Sequence, residues 1–233
     1  MNPQPREANF GLDDLGLMIG SVIPAFLAST LLTRGLKAIL PVTFSQRVVE
    51  VFFFQTVFYI CTLAALYFVV AVRHRLPFLD ALAWRSHFPG AGRCVGLGLT
   101  LMFATSGLGA ILKAPIIPNP WQDLITGKGS QFAVIVFAAV LGPIWEELLF
   151  RGFLYRLLER YVNPWLAILA AAIPFGLIHG SQNQWVWQYI VLIAFSGLIF
   201  GFVRYRTKST LAAALTHSAY NTAQFIVFLV QSA

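Results

Sequence analysis

The chain has 233 residues, of which 58% are hydrophobic and 11% are charged, and its mean hydropathy is +0.74. This composition excludes a soluble domain. The formal net charge of +7 does not indicate nucleic-acid binding, because no basic stripe with interleaved aromatic residues lies outside the apolar segments. We therefore predict an all-α, polytopic helical membrane protein in which residues 1–233 form a single transmembrane domain and no nucleic acid is bound.

Apolar segments near the length of about 20 residues that a helix needs to cross a bilayer recur along the whole chain. In chain order they are residues 15–32, 51–72, 95–112, 132–150, 164–178, 186–203 and 211–230. We expect about seven transmembrane helices, within a range of six to eight. No linker between these segments is long enough to separate a second domain.

Basic residues fall unequally on the two sides that seven alternating spans create. One side carries eleven Lys and Arg residues, which are Arg6, Arg73, Arg75, Arg85, Arg93, Arg151, Arg156, Arg160, Arg204, Arg206 and Lys208. The other side carries five, which are Arg34, Lys37, Arg47, Lys113 and Lys128. Since cytoplasmic loops carry an excess of Lys and Arg, we predict that the N-terminus is cytoplasmic and the C-terminus lies outside the cytoplasm.

Two adjacent carboxylates, Glu146 and Glu147, follow an apolar run that begins at Phe132 and carries no earlier charge. An ionisable group inside hydrocarbon costs roughly 2.5 kcal/mol or more, so such residues usually face a protein interior or a water-filled cavity. His179 near the end of the fifth segment and His217 in the last one also carry polar groups within apolar surroundings. We take these residues as the candidate functional site.

Helical spacing gives the polar side chains of the fourth segment different directions. Glu147 and Arg151 are four residues apart, so their carboxylate and guanidinium lie on one helix face and can pair. Glu146 is rotated by about 100° from that face and lacks this partner. An unpaired carboxylate in such surroundings is suited to accept a proton from water, and we predict that Glu146 is the general base.

The same four-residue spacing recurs in two later segments. Phe175 and His179 share one helix face, and His217 and Asn221 share another. Three helices can therefore converge on one small cavity.

The depths of these groups set a condition on the helices. With a rise of about 1.5 Å per residue, straight antiparallel spans would place Glu146 and His179 roughly 14 Å apart in depth. We expect the Gly142–Pro143 step to interrupt the fourth span and Pro174 to kink the fifth, so that both groups approach mid-depth.

Three ordered motifs carry a family resemblance, namely Glu146-Glu147-x-x-x-Arg151, Phe175-x-x-x-His179 and His217-x-x-x-Asn221. They resemble the signature motifs of the CPBP (CaaX protease and bacteriocin-processing, Abi-type) intramembrane protease family. That family includes the Ras-converting CaaX endopeptidase and bacterial relatives linked to bacteriocin processing or self-immunity. The resemblance implies a protease core over residues 132–230.

The resemblance also implies a catalytic set and a supporting pair. The residue matching Glu146 activates the attacking water. The other catalytic positions are His179, His217 and Asn221, and the supporting pair is Glu147 with Arg151.

The sequence leaves open whether the cofactor is a divalent metal or none. Glu146, His179 and His217 would make a three-ligand open zinc site, although the chain has no His-Glu-x-x-His helix. In the metal-free route His179 assists Glu146, while His217 and Asn221 stabilise the oxyanion.

The expected activity is that of a membrane endopeptidase, a hydrolase acting on a peptide or protein substrate among membrane lipids. Resemblance to the CaaX prenyl proteases implies a prenylated C-terminus as substrate, and a small apolar peptide is the alternative. Two other classes remain: a non-catalytic membrane immunity or scaffold protein, and a proton-coupled transporter, which also uses buried carboxylate and imidazole groups.

Overall fold

The computed structural model describes residues 9–88, 90–118 and 121–232. Arg6 and both chain termini, which enter the predicted orientation and the predicted domain limits, lie outside the described residues. Within the described ranges the chain forms α-helices, two of which contain π-helical stretches, together with short 3-10 turns and no strand. The α-helices are α1 (Leu12–Ile39), α2 (Arg47–Arg73), α3 (Phe78–Ala81), α4 (Ala91–Ile111), α5 (Lys128–Leu158), α6 (Pro164–Ile178), α7 (Trp187–Thr207) and α8 (Thr210–Ser232).

Every predicted apolar segment corresponds to one of these helices, and the all-α polytopic class is confirmed. Five helices in the described residues, α1, α2, α4, α5 and α7, are long and apolar enough to cross a membrane. The apolar helix α6 has 15 residues and is shorter than these five. Helix α8 has 23 residues but is less apolar, because one stretch of it is rich in polar side chains, namely Thr216, His217, Ser218, Asn221 and Thr222.

Close helix contacts surround the centre of the molecule. A Cβ on Gly98 of α4 would overlap the carbonyl oxygen of Thr216 in α8, and a Cβ on Gly176 of α6 would lie 2.6 Å from that of Ile190 in α7. Only glycine permits this approach between backbones. Helices α4 and α8, and likewise α6 and α7, therefore pack with their backbones almost in contact.

The contact between α4 and α8 gives a test of the fold. Gly98→Ala should lower the free energy of unfolding by about 1–3 kcal/mol, because the added methyl group meets backbone that must move apart. Thermal unfolding in detergent measures the change. Gly96→Ala is the matched control, since a Cβ there meets no atom within 4 Å. Equal stability of the two variants would contradict the close approach.

Helix α5 differs from the sequence prediction. It begins at Lys128 and continues to Leu158, so the expected interruption at Gly142–Pro143 is wrong. A π-helical stretch, Phe137–Leu141, precedes the proline, and the Gly142 N–H donates to the carbonyl of Phe137, five residues earlier. This wider turn accommodates the proline ring without breaking the helix. Because α5 is longer than predicted, Glu146 lies well inside the helix.

Candidate active site

Glu147 and Arg151 of α5 form a buried ion pair. Arg151 lies in the second π-helical stretch of this helix, Leu148–Leu154, and Glu147 is the residue before that stretch. The side chains of Glu147 and Arg151 are 0% and 1% exposed. Arg151 Nη1 donates to Glu147 Oε1 at 2.9 Å, and Arg151 Nη2 donates to the carbonyl oxygen of Gly197 in α7 at 2.7 Å. The pair therefore joins α5 to α7 as well as two turns of α5.

The guanidinium of Arg151 is enclosed by aromatic rings. Its central carbon lies 4.5 Å from the ring centroid of Phe175 and 5.4 Å from that of Phe200, distances at which a cation is attracted to a ring face. A Cβ on Gly197 would lie 3.2 Å from Arg151 Nη2 and 3.0 Å from the Phe175 ring. The carbonyl oxygen of Gly197 thus accepts a hydrogen bond from Arg151, and the lack of a side chain on Gly197 leaves room for the guanidinium.

His217 of α8 is held by the same carboxylate. Its Nδ1 lies 3.0 Å from Glu147 Oε1, and its ring stacks on Phe200 with centroids 4.4 Å apart. Because an ionised carboxylate only accepts hydrogen bonds, Nδ1 carries the proton and a neutral His217 has a bare Nε2. That Nε2 lies 3.8 Å from Glu146 Oε2.

His179, the residue that follows the last residue of α6, presents its ring to the site in the same way. Its Nδ1 lies 2.7 Å from the carbonyl oxygen of Phe175, which only accepts, so a neutral His179 also has a bare Nε2. This Nε2 lies 3.8 Å from Glu146 Oε1. The two imidazoles therefore present their Nε2 atoms to the two oxygens of one carboxylate.

Glu146 lies between these rings without a strong partner of its own. Its side chain is 14% exposed, and Oε2 has no hydrogen-bond partner within the described residues. The neighbouring Glu147 takes the guanidinium, as the helix spacing predicts. A carboxylate placed in this way can accept a proton from a bound water.

Asn221 of α8 compensates for the proline in α5. With the Gly142 N–H bonded to Phe137, the carbonyl of Ala138 would need the N–H of residue 143, which is a proline and has none. Asn221 Nδ2 donates to this carbonyl at 2.7 Å. One of the two amide N–H groups is used in this bond, and no partner for the other is found among the described residues, so it can donate to a ligand.

The structure brings the predicted residues together around one cavity of about 710 Å³. Glu146, His179, His217 and Asn221 line it, while Glu147 and Arg151 lie behind His217. Its volume is in the range of roughly 300–1,000 Å³ typical of ligand sites. Helices that carry no motif also contribute to the walls, through Gln55, Tyr59, Met102 and Thr105.

A comparison with known families finds a match over the part of the chain that carries the site. Residues 128–223 match the family model described as Type II CAAX prenyl endopeptidase Rce1-like. All six predicted site residues lie inside the matched segment. Over this segment the chain is similar to the Rce1-like family.

Two curated proteins are also similar to the chain. It is 24% identical over 152 residues to "Putative membrane peptidase YdiL" of Bacillus subtilis (strain 168), an alignment covering 59% of each protein. It is 29% identical over 98 residues to "UPF0177 protein YbdI" of Lactococcus lactis subsp. lactis (strain IL1403), covering 42% of this chain and 50% of that relative. The chain thus spans between half and two thirds of the length of the curated relatives it matches. No solved structure matches the chain.

A zinc site made of Glu146, His179 and His217 fits the chemistry of the side chains but not their spacing. Both imidazoles bond through Nδ1 and turn Nε2 to the site, as zinc-binding histidines do. The Nε2 to oxygen distances of 3.8 Å exceed the separation of about 3.4 Å between ligand atoms in a tetrahedral zinc site. No three His, Cys, Asp or Glu side chains in the described part of the chain are grouped to hold a metal ion.

Proposed function

We propose that the chain is an intramembrane endopeptidase in which Glu146 activates the water that hydrolyses a peptide bond. The observation that carries the proposal is the position of the Glu146 carboxylate, with one oxygen unpartnered within the described residues and two imidazoles at 3.8 Å, at a cavity large enough for a peptide. The match of residues 128–223 to an endopeptidase family model supports the reaction class.

The proposed reaction needs no group beyond the chain and water. Glu146 takes a proton from water as the water oxygen attacks the carbonyl carbon of the substrate. The carbonyl oxygen then becomes an oxyanion. The bare Nε2 of His179 orients the water by accepting a hydrogen bond from the second O–H of that water. When the intermediate collapses, the C–N bond breaks and Glu146 returns its proton to the leaving nitrogen.

The oxyanion receives a hydrogen bond from the second amide N–H of Asn221. A neutral His217 uses its N–H on Glu147, so it donates to the oxyanion through Nε2 only when it is protonated. Glu147 and Arg151 fix the position of His217 and are supporting residues in this scheme.

The proposed substrate has an apolar C-terminal segment, and the family description suggests a prenylated CaaX peptide. Purified protein should be incubated with a farnesylated CaaX peptide, with its unmodified form and with unrelated apolar peptides. Mass spectrometry then identifies the products. Cleavage that Glu146→Gln abolishes supports the proposal. No product from any peptide would instead favour a scaffold or transporter.

The proposed route predicts activity without metal. Protein treated with a chelator and then freed of it should keep its rate, and elemental analysis should find far less than one metal per chain. Stoichiometric zinc, with activity lost on chelation and regained on zinc addition, would contradict this route.

We also propose that the N-terminus is cytoplasmic, on the strength of the charge difference between the two sides. A reporter active only in the cytoplasm should be active when fused before Met1 and inactive when fused after Ala233. The opposite pattern, or both termini on one side, would contradict the orientation and leave the site geometry unaffected.

A further inference from the structure

Helix α2 lies outside the matched segment 128–223, yet it brings polar groups to the site. The ring of Tyr59 stacks on Trp145, the residue before Glu146, with centroids 4.4 Å apart and planes at 16°. The indole N–H of Trp145 donates to Thr62 Oγ1 of α2 at 2.8 Å. These contacts fix the face of α2 that carries Tyr59 against the catalytic part of α5.

The hydroxyl of Tyr59 is available to donate a hydrogen bond. Gln55, one turn earlier, donates from Nε2 to the hydroxyl oxygen at 2.6 Å. No acceptor for the hydroxyl proton is found among the described residues. Both side chains line the 710 Å³ cavity, so the O–H bond can point into it.

A gap beside Gly142 lies between this hydroxyl and the catalytic carboxylate. A Cβ built on Gly142 would lie 3.6 Å from Tyr59 Oη and 3.9 Å from Glu146 Oε1. Glycine leaves this space empty of side-chain atoms. The two oxygens therefore border one space that can hold a small group such as a water or a carbonyl oxygen.

The proposed oxyanion is short of donors without Tyr59. The N–H groups of neutral His217 and His179 are used on Glu147 and on the Phe175 carbonyl, and Asn221 uses one of two N–H groups on Ala138. One amide N–H remains, whereas preorganised oxyanion sites combine several donors.

We propose that Tyr59 is a further catalytic residue, which donates its hydroxyl hydrogen bond to the oxyanion, and that Gln55 is its positioning residue. The O–H bond does not break, and no proton leaves Tyr59. This inference rests on the proposed peptide hydrolysis.

Tyr59→Phe tests the inference, because it removes only the hydroxyl and keeps the ring on Trp145. We expect kcat to fall on the order of 100-fold, as for loss of one oxyanion donor, with KM and the unfolding temperature little changed. Tyr67→Phe is the matched control, since Tyr67 is on the same helix, 54% exposed and away from the cavity lining, and it should keep full activity. Gln55→Met should reduce kcat to a lesser degree.

A binding measurement separates catalysis from structure. A peptide phosphonate, whose tetrahedral anion resembles the intermediate, should bind Tyr59→Phe more weakly by about the factor lost in kcat/KM. Substrate binding, measured in the Glu146→Gln background, should not change. If Tyr59→Phe has the wild-type kcat, or if it loses phosphonate binding and substrate binding equally, the role of Tyr59 is overturned and the proposed hydrolysis is not. A wild-type protein that cleaves no peptide would overturn the proposed function and this inference with it.

Discussion

Glu146→Gln should abolish peptide hydrolysis and leave the protein folded. The amide has the shape of the carboxylate but cannot take a proton from water, so the general base is lost, an effect typically of 10²–10⁴-fold, to order of magnitude. Among the described residues Glu146 has no close ion-pair partner to lose, because the imidazoles of His179 and His217 lie 3.8 Å from its oxygens. The measurements are the cleavage rate and the unfolding temperature in detergent.

Glu50→Gln serves as the control for Glu146→Gln. Glu50 pairs with Lys37 at 2.7 Å near the surface and does not line the 710 Å³ cavity, so the variant should cleave at the wild-type rate. If Glu147→Gln is folded but inactive while Glu146→Gln is active, the roles assigned to the two carboxylates are reversed.

Glu147→Ala should instead destabilise the protein, by about 3–5 kcal/mol as for other broken buried pairs. The change leaves the guanidinium of Arg151, 1% exposed, without its carboxylate, and it removes the acceptor of His217 Nδ1. The free energy of unfolding in detergent and denaturant measures the loss.

Two further variants test the physical reason for this loss. Glu147→Ala combined with Arg151→Met removes both charges and should recover part of the stability. Glu50→Ala breaks an exposed pair and should cost less than about 1 kcal/mol. A Glu147→Ala variant as stable as Glu50→Ala would show that the buried pair does not have the structural role assigned to it.

The sequence predicts the helices, and it predicts which site residues share a helix face, because both depend on local spacing. Hydropathy locates the apolar segments, and the spacing of four residues puts Glu147 beside Arg151 and leaves Glu146 apart from them. The roles of these residues remain predictions, since they concern a reaction and not a position.

The departures arise where local rules give way to tertiary contacts. Pro143 predicts a break, but a π-helical turn before it keeps α5 continuous, and Asn221 from a distant helix bonds the carbonyl that the proline leaves free. The spacing of apolar residues at 3.6 residues per turn does not predict a π-helical turn. Tyr59 was missed because its place beside Trp145 depends on packing between helices, although Gln55 and Tyr59 one turn apart in an apolar segment were a visible signal.

The most direct test of the central claim is hydrolysis in ¹⁸O-labelled water, followed by mass spectrometry of the peptide products. If a water activated by Glu146 attacks the peptide bond, one ¹⁸O atom should enter the new C-terminal carboxylate at the first turnover. Wild-type protein should give this product, Tyr67→Phe should match it, and Glu146→Gln should give none. Labelled product formed at the wild-type rate by Glu146→Gln, or no cleavage of any apolar or prenylated peptide by the wild type, would contradict the account.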